Sequence, residues 1–243
     1  MKTTRIFSFS FFVCMFLGIS GLFAGCSFVG AHGDGNVIKE TRVVPAFDAI
    51  DISGAWDVSL KQGANQEVTV ETDANIMPLV RTEVVGGVLR VEIRKPVNHT
   101  TKMKLYLTVK DLKKIEASGA VNIKTESTIT VPELNIDGSG ASEANMDIQV
   151  QKLILDCSGA SKLRLRGNAT NVKMDLSGAS DIFAYDLLSE NYDIEICGAG
   201  NAQISVSKKL QAEISGAGSV RYKGSPAEVN QSVSGAGSIR KAN

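Results

Sequence analysis

Apolar and polar residues alternate along most of the chain beyond residue 42. An alternation of period two predicts β-strands, because successive side chains of a strand point to opposite faces. Between residues 116 and 238 the alternating segments flank a recurring Ser-Gly-Ala phrase (once Cys-Gly-Ala), which returns every 18 to 21 residues. Its lead residues are Ser118, Ser139, Ser158, Ser177, Cys197, Ser215 and Ser234, and an isolated copy lies at Ser53. A fixed period near twenty residues is typical of a stacked repeat.

A repeat of this length has no room for a crossover helix, and Gly permits the tight corner that each phrase requires. We therefore predict an all-β fold, a right-handed parallel β-helix or β-solenoid with coils of about 19–20 residues and Ser-Gly-Ala corners. Stacking predicts two buried columns: Ile115, Ile136, Leu155, Met174 and Ile194 in one; Ala117, Gly138, Cys157, Leu176, Ile196, Ile214 and Val233 in the other.

The corner residues should also stack, with the lead serines forming an outward ladder. We expect the Ala of each phrase, such as Ala179, to line the inside of the corner, where only a small side chain fits. Two interpretations of the serine ladder remain open. The hydroxyls either bond to neighbouring backbone at each corner, or present a flat polar surface to a glycan or to another strand.

Composition and pattern divide the 243 residues into four parts. Residues 1–25 form a signal peptide and residues 26–41 a Gly-rich, flexible tether. Residues 42–111 are predicted to form a longer-stranded N-terminal β part that caps one end of the solenoid and is continuous with it, including a hairpin turn at Gly86-Gly87. Residues 112–243 form the solenoid repeats.

The N-terminal segment combines basic residues Lys2 and Arg5, a long apolar stretch and the sequence Phe-Ala-Gly-Cys ending at Cys26. This end resembles a bacterial lipobox, although Phe23 stands where Leu is commonest. The resemblance implies that Cys26 carries several acyl chains, which suffice for stable membrane anchoring. We expect an outer-membrane lipoprotein, and the sequence leaves open whether it lies on the cell surface or on the periplasmic face. The alternative is that the N-terminal segment is an ordinary secretory signal without lipidation.

Charge and cysteine content narrow the possible partners. Without residues 1–25 the chain carries 24 basic and 26 acidic residues, so nothing favours nucleic acid or an anionic membrane surface. Cys157 and Cys197 are the only cysteines beyond Cys26. The register places Cys157 inside and Cys197 outside, two coils or roughly 9–10 Å apart, which is too far for a disulfide. We therefore predict that both are reduced.

Candidate catalytic or metal-binding groups are few. His32 lies in the predicted tether and His99 in a loop, where neither has an evident partner. An outward acidic column stands two residues before successive lead residues and comprises Asp137, Asp156, Asp175, Glu195 and Glu213. Three interpretations of this column remain open: a solvated surface, a pair of glycosidase carboxylates, or a cation-binding site. No phosphate-binding motif or nonapeptide calcium repeat occurs, and no cofactor is predicted.

The lipobox, the opening FDAIDISGAWDVSL, the strand GVLRVEIRK and the run of SGAS and SGAG corners resemble the putative auto-transporter adhesin head, or GIN domain, family. Members are common in Bacteroides and its relatives. The resemblance implies a β-helical, non-enzymatic envelope lipoprotein that acts in adhesion or binding, with a glycan or protein ligand. Two alternatives stay open: a carbohydrate-active enzyme on the same scaffold, and a structural component of the envelope. The sequence leaves the oligomeric state open.

Overall fold

The computed structural model describes residues 30–242, where nearly all regular structure is β-sheet. The N-terminal strands are β1 (Ala31–His32), β2 (Val37–Arg42), β3 (Ala49–Gln62), β4 (Glu67–Asp73), β5 (Val80–Val85), β6 (Val88–Ile93), β7 (Val97–His99) and β8 (Met103–Val109). The following strands are β9 (Lys114–Thr125), β10 (Ile129–Gly140), β11 (Glu143–Gly159), β12 (Lys162–Gly178), β13 (Asp181–Gly198), β14 (Asn201–Gly216), β15 (Ser219–Lys223), β16 (Glu228–Gly235) and β17 (Ser238–Lys241). A 3₁₀ turn, Met77–Leu79, precedes β5.

The repeats form the β-solenoid that the sequence predicts. Strands β9 to β14 each pair in parallel with the next, and β15, β16 and β17 extend the ladder. The stack has about seven turns spaced about 19 residues apart. Both predicted columns occur in register, as in the pairing of Leu155 with Met174 and of Cys157 with Leu176. The Cys157 side chain is buried and that of Cys197 is exposed, which confirms the register.

The corner differs from the prediction. Cys157 is buried, Ser158 and Ala160 are exposed, and Ser161 is buried again. In the next coil Ala179 is likewise exposed and Ser180 fully buried, so the prediction that Ala lines the inside was wrong.

The period-two alternation continues through the corner, which explains the difference. Gly159 occupies the position that would otherwise point inward, but its φ of 105° turns the backbone. A Cβ on Gly159 would meet the carbonyl oxygen of Gly140 in the preceding coil, at 2.6 Å. The side-chain direction at this position is therefore along the stack, and the first inward residue after the turn is Ser161.

The N-terminal part covers the first coil, as the sequence predicts. Strand β3 pairs with β9 on one side and with β6 and β8 on the other. Antiparallel strands β4 and β2 follow β8, and a β5–β6 hairpin turns at Gly86-Gly87 as predicted. Apart from β3, however, these strands have two to seven residues, whereas β11 to β14 have 16 to 18. The expectation of longer strands here was wrong, because each cap strand spans only one arm of a coil.

The predicted flexible tether is partly structured. Within residues 26–41, β1 pairs with β7, and most of β2 pairs with β4. Buried Asp73 fixes the segment: its carboxylate accepts hydrogen bonds from Gly35 N at 2.8 Å, Thr101 N at 2.7 Å and Thr100 Oγ1 at 2.6 Å. The signal peptide, residues 1–25, and the proposed lipidation site Cys26 lie outside the described residues.

The C-terminal end of the solenoid is more open than the N-terminal end. Every residue of β16 is exposed, and β16 pairs only with β14 among the described strands. Val229 and Val233 continue inner columns but are 39% and 43% exposed. Polar residues and a Lys209–Glu228 ion pair of 2.8 Å surround them. The hydrophobic core therefore ends one coil before this edge.

Candidate functional site

The predicted acidic residues do form a column on the surface. Parallel pairing in register places Asp137 beside Asp156, Asp156 beside Asp175, Asp175 beside Glu195 and Glu195 beside Glu213. The column is longer than predicted, because Glu116 pairs with Asp137, and Asp51 with Glu116. Both additional residues stand two positions before a lead serine, so the same offset could have identified them.

Lysines relieve the repulsion within this column. Lys114 contacts Glu116 and lies 2.8 Å from Asp137, whose carboxylate, together with that of Glu116, raises the pKa of the lysine. Lys173 lies 3.0 Å from Asp175. At the N-terminal end of the column, burial and the neighbouring Glu116 raise the pKa of Asp51. The column is thus a partly neutralised charged ladder.

Metal coordination finds no support among residues 30–242, since no three His, Cys, Asp or Glu side chains there converge in a way that could hold an ion. His32 and His99 do come together, since they are paired residues of β1 and β7. Both are exposed. Sequence analysis missed this pair because it placed His32 in an unstructured tether.

The lead serines form the predicted outward ladder next to the acidic column. Ser139, Ser158 and Ser177 are exposed and stack in register. The corner backbone bonds to itself instead: Ala179 N donates to Gly159 O at 2.8 Å. In the described part of the chain the lead hydroxyls have no hydrogen-bond partner. They remain available to a ligand, and the interpretation that they bond to the corner backbone was wrong.

A second surface feature, the bend groove, crosses the stack where each coil bends between its two arms. It has a volume of about 850 Å³. Its floor contains a column of buried residues, Val131, Val150, Ala169, Ser189 and Val206, and one rim is formed by Thr130, Gln149, Asn168, Leu188 and Ser205. Leu188 is 61% exposed. The sequence signal for the bend is two consecutive outward residues, such as Gln151-Lys152, that interrupt the alternation.

Comparison with protein families identifies the chain. A family model described as "Putative auto-transporter adhesin, head GIN domain" matches residues 46–226. The chain belongs to this family. The matched range of the head GIN domain contains the acidic column, the lead serines up to Ser215 and the bend groove. A search of curated proteins returned no match.

Solved structures share the fold of this GIN-domain chain. A putative adhesin from Bacteroides fragilis is 24% identical, with a TM-score of 0.81, and the match covers 88% of this chain and 100% of that one. A putative lipid binding protein from Parabacteroides distasonis is 25% identical with a TM-score of 0.72, covering 88% and 99%. A putative adhesin from the same species is 26% identical with a TM-score of 0.68, covering 88% and 100%.

The family places the chain among cell-surface or envelope proteins. Within the described residues, no helix has the length and apolar character needed to cross a bilayer.

Proposed function

We propose that this chain is a non-enzymatic adhesin or binding module of the cell envelope, anchored to the outer membrane by lipid on Cys26. Repetition of the outward surface supports the proposal. In coil after coil the same exposed hydroxyl, free of hydrogen bonds within residues 30–242, recurs beside a carboxylate. Repeated, equally spaced groups suit contact with a large, extended partner, because each coil adds an equivalent contact.

The family and the names of the structural neighbours favour adhesion over catalysis. The lead serines also lack the partners that nucleophilic catalysis requires, since a serine nucleophile is activated by an adjacent base. His32 and His99, the histidines of the described part, lie at the N-terminal end, on β1 and β7. The lead hydroxyls therefore serve as contact groups in this proposal.

Cell-surface exposure can be tested with Cys197, the one exposed cysteine among residues 30–242. Cys197 is exposed and Cys157 is buried, so a membrane-impermeant maleimide should label Cys197 on intact cells that produce the protein. Lysed cells supply the positive control, and Cys197→Ser cells the negative one. The same cells should bind to a mucin-coated surface better than cells without the protein. Labelling only after lysis would place the protein inside the envelope and refute the adhesin proposal.

A further inference from the structure

The bend groove differs from the rest of the surface in its lack of charge. Of its lining residues only Glu190 is charged, and Lys208 pairs with it at 2.8 Å. The opposite arm of the same coils carries the acidic ladder and its lysines. A binding site without unpaired charge selects against ionic ligands, because a charged group entering it would lose hydration without gaining a partner.

The rims of the groove carry unused hydrogen-bonding groups. Gln149, Gln151 and Asn168 are exposed, and their side-chain amides have no hydrogen-bond partner within residues 30–242. Each amide offers two donors and an acceptor. The buried floor between the rims is apolar at Val150 and Ala169, and Leu188 adds exposed apolar surface. The groove therefore combines neutral amides at the sides with an apolar strip along the bottom.

The groove also has a regular spacing. It crosses five successive coils, from Thr130 in β10 to Ser205 in β14, so it extends about 19 Å along the stack at about 4.8 Å per coil. One sugar unit of an extended glycan has a length close to this spacing. Hydroxyl groups match the amides of the rims, and the C–H faces of sugar rings match the apolar floor.

We propose that the bend groove is a binding site for a neutral, linear glycan that lies along the solenoid axis. This inference rests on the proposed function as a binding module, and it assigns the site and the chemical class of the ligand.

Other extended ligands fit the groove less well. An acyl chain would keep much of its apolar surface in water, because the groove is open on one side. A peptide could not add as a strand, since the backbone beneath the groove is already paired in the parallel ladder of β10 to β14. Nucleic acids and anionic glycans need basic side chains, and the groove lining contains none.

The test uses purified full-length protein in detergent and fluorescence anisotropy of labelled oligosaccharides. The probes are neutral linear glucan, mannan, galactan and xylan series, an anionic polyuronate series and a labelled fatty acid. We expect one neutral series to bind, with affinity rising until the chain spans about four to five units, one per coil. Binding should change less than about twofold between low and high salt, because no ion pair is involved.

Variants link binding to the groove. The triple variant Gln149→Ala, Gln151→Ala, Asn168→Ala should weaken binding about tenfold or more, and Leu188→Ala should weaken it less. The matched control is Gln211→Ala with Gln231→Ala, which removes two exposed amides outside the groove that are likewise unbonded in the described chain. Circular dichroism and melting temperature verify that all variants are folded.

The outcomes separate this inference from the proposed function. Binding of a neutral series that the triple variant loses and the control keeps supports the glycan site. Absence of binding to every neutral series, equal binding by the triple variant, or preference for the polyuronate or the fatty acid refutes it. Labelling of Cys197 on intact cells and adhesion to mucin are measured independently, so an adhesin that uses another face would still be recognised.

Discussion

The stacked glycine corners allow a quantitative test of the solenoid. We choose Gly178, in the middle of the stack, where φ is 96°. A Cβ added there would lie 2.5 Å from the carbonyl oxygen and 3.1 Å from the amide nitrogen of Gly159. That oxygen cannot move away easily, because it accepts the hydrogen bond from Ala179 N.

Gly178→Ala combines two unfavourable effects. A non-glycine residue in the left-handed region loses about 1–2 kcal/mol, and overpacking against a fixed neighbour adds about 1–3 kcal/mol. We therefore expect the free energy of unfolding to fall by about 2–5 kcal/mol. The matched control is Gly86→Ala in the β5–β6 hairpin, where φ is 60° and no atom lies within 4 Å of the added Cβ. It should show only the backbone effect, about 1–2 kcal/mol.

Urea denaturation followed by circular dichroism measures both variants against the unaltered protein, with the free energy extrapolated linearly. The expected result is a clearly larger loss for Gly178→Ala, and the difference between the variants isolates the contact between coils. Equal losses would show that the corner does not lie against the preceding coil, and that the stacking geometry described for the corners is wrong.

Three further predictions concern burial, pH and anchoring. Ser180→Ala should raise the melting temperature, because the buried hydroxyl has no hydrogen-bond partner in the described residues. Ala179→Leu, at the exposed position, should change stability by about 0.5 kcal/mol or less. The opposite order of effects would mean that Ala179, and not Ser180, points inward. The hydroxyl of Thr100 and two backbone N–H groups lower the pKa of Asp73 in the folded protein. The ionised Asp73 therefore stabilises the fold above the unfolded pKa, and the melting temperature should fall as the pH drops below about 4. An equal fall in the Asp73→Asn variant would assign the effect to other groups. Cys26→Ala should release the protein from membranes in detergent-free fractionation, and retention would contradict lipidation.

The sequence was sufficient to predict the solenoid and its register because two periods agree. Alternation determines the face of each residue, and the repeat length determines its neighbour in the next coil. The pairing of Leu155 with Met174 and the contrast between buried Cys157 and exposed Cys197 follow directly. These features depend on local pattern alone, without knowledge of how distant segments pack.

Features that depend on contacts between distant segments were not predictable in the same way. β1 and β2 lie in a Gly-rich stretch that resembles a linker, and they are ordered by pairing with β7 and β4 and by the carboxylate of Asp73. The bend groove has no motif either. It results from five bends stacked in register, each visible in the sequence only as two or three adjacent outward residues that interrupt the alternation.

The two forms of the corner phrase, SGAS and SGAG, have a physical explanation in the packing. The buried position after Ala is Ser161 and Ser180 in coils whose inner column carries Cys157 and Leu176. It becomes Gly200, Gly218 and Gly237 where that column carries the β-branched residues Ile196, Ile214 and Val233.

The Cγ2 methyl group of these isoleucines occupies the space of the serine side chain. A Cβ on Gly218 would lie 2.8 Å from both Ile196 Cγ2 and the carbonyl oxygen of Gly200. One on Gly237 would lie 2.6 Å from Ile214 Cγ2 and 2.9 Å from the carbonyl oxygen of Gly218. Leu176 branches one carbon further out and leaves that space to Ser180, whose hydroxyl is buried without a partner in the described chain. The change from serine to glycine along the stack therefore accompanies the β-branched residues of the neighbouring column. The exposed lead residue is serine in every SGAS and SGAG corner and cysteine at Cys197, and the lead serines are the part of the phrase available for binding.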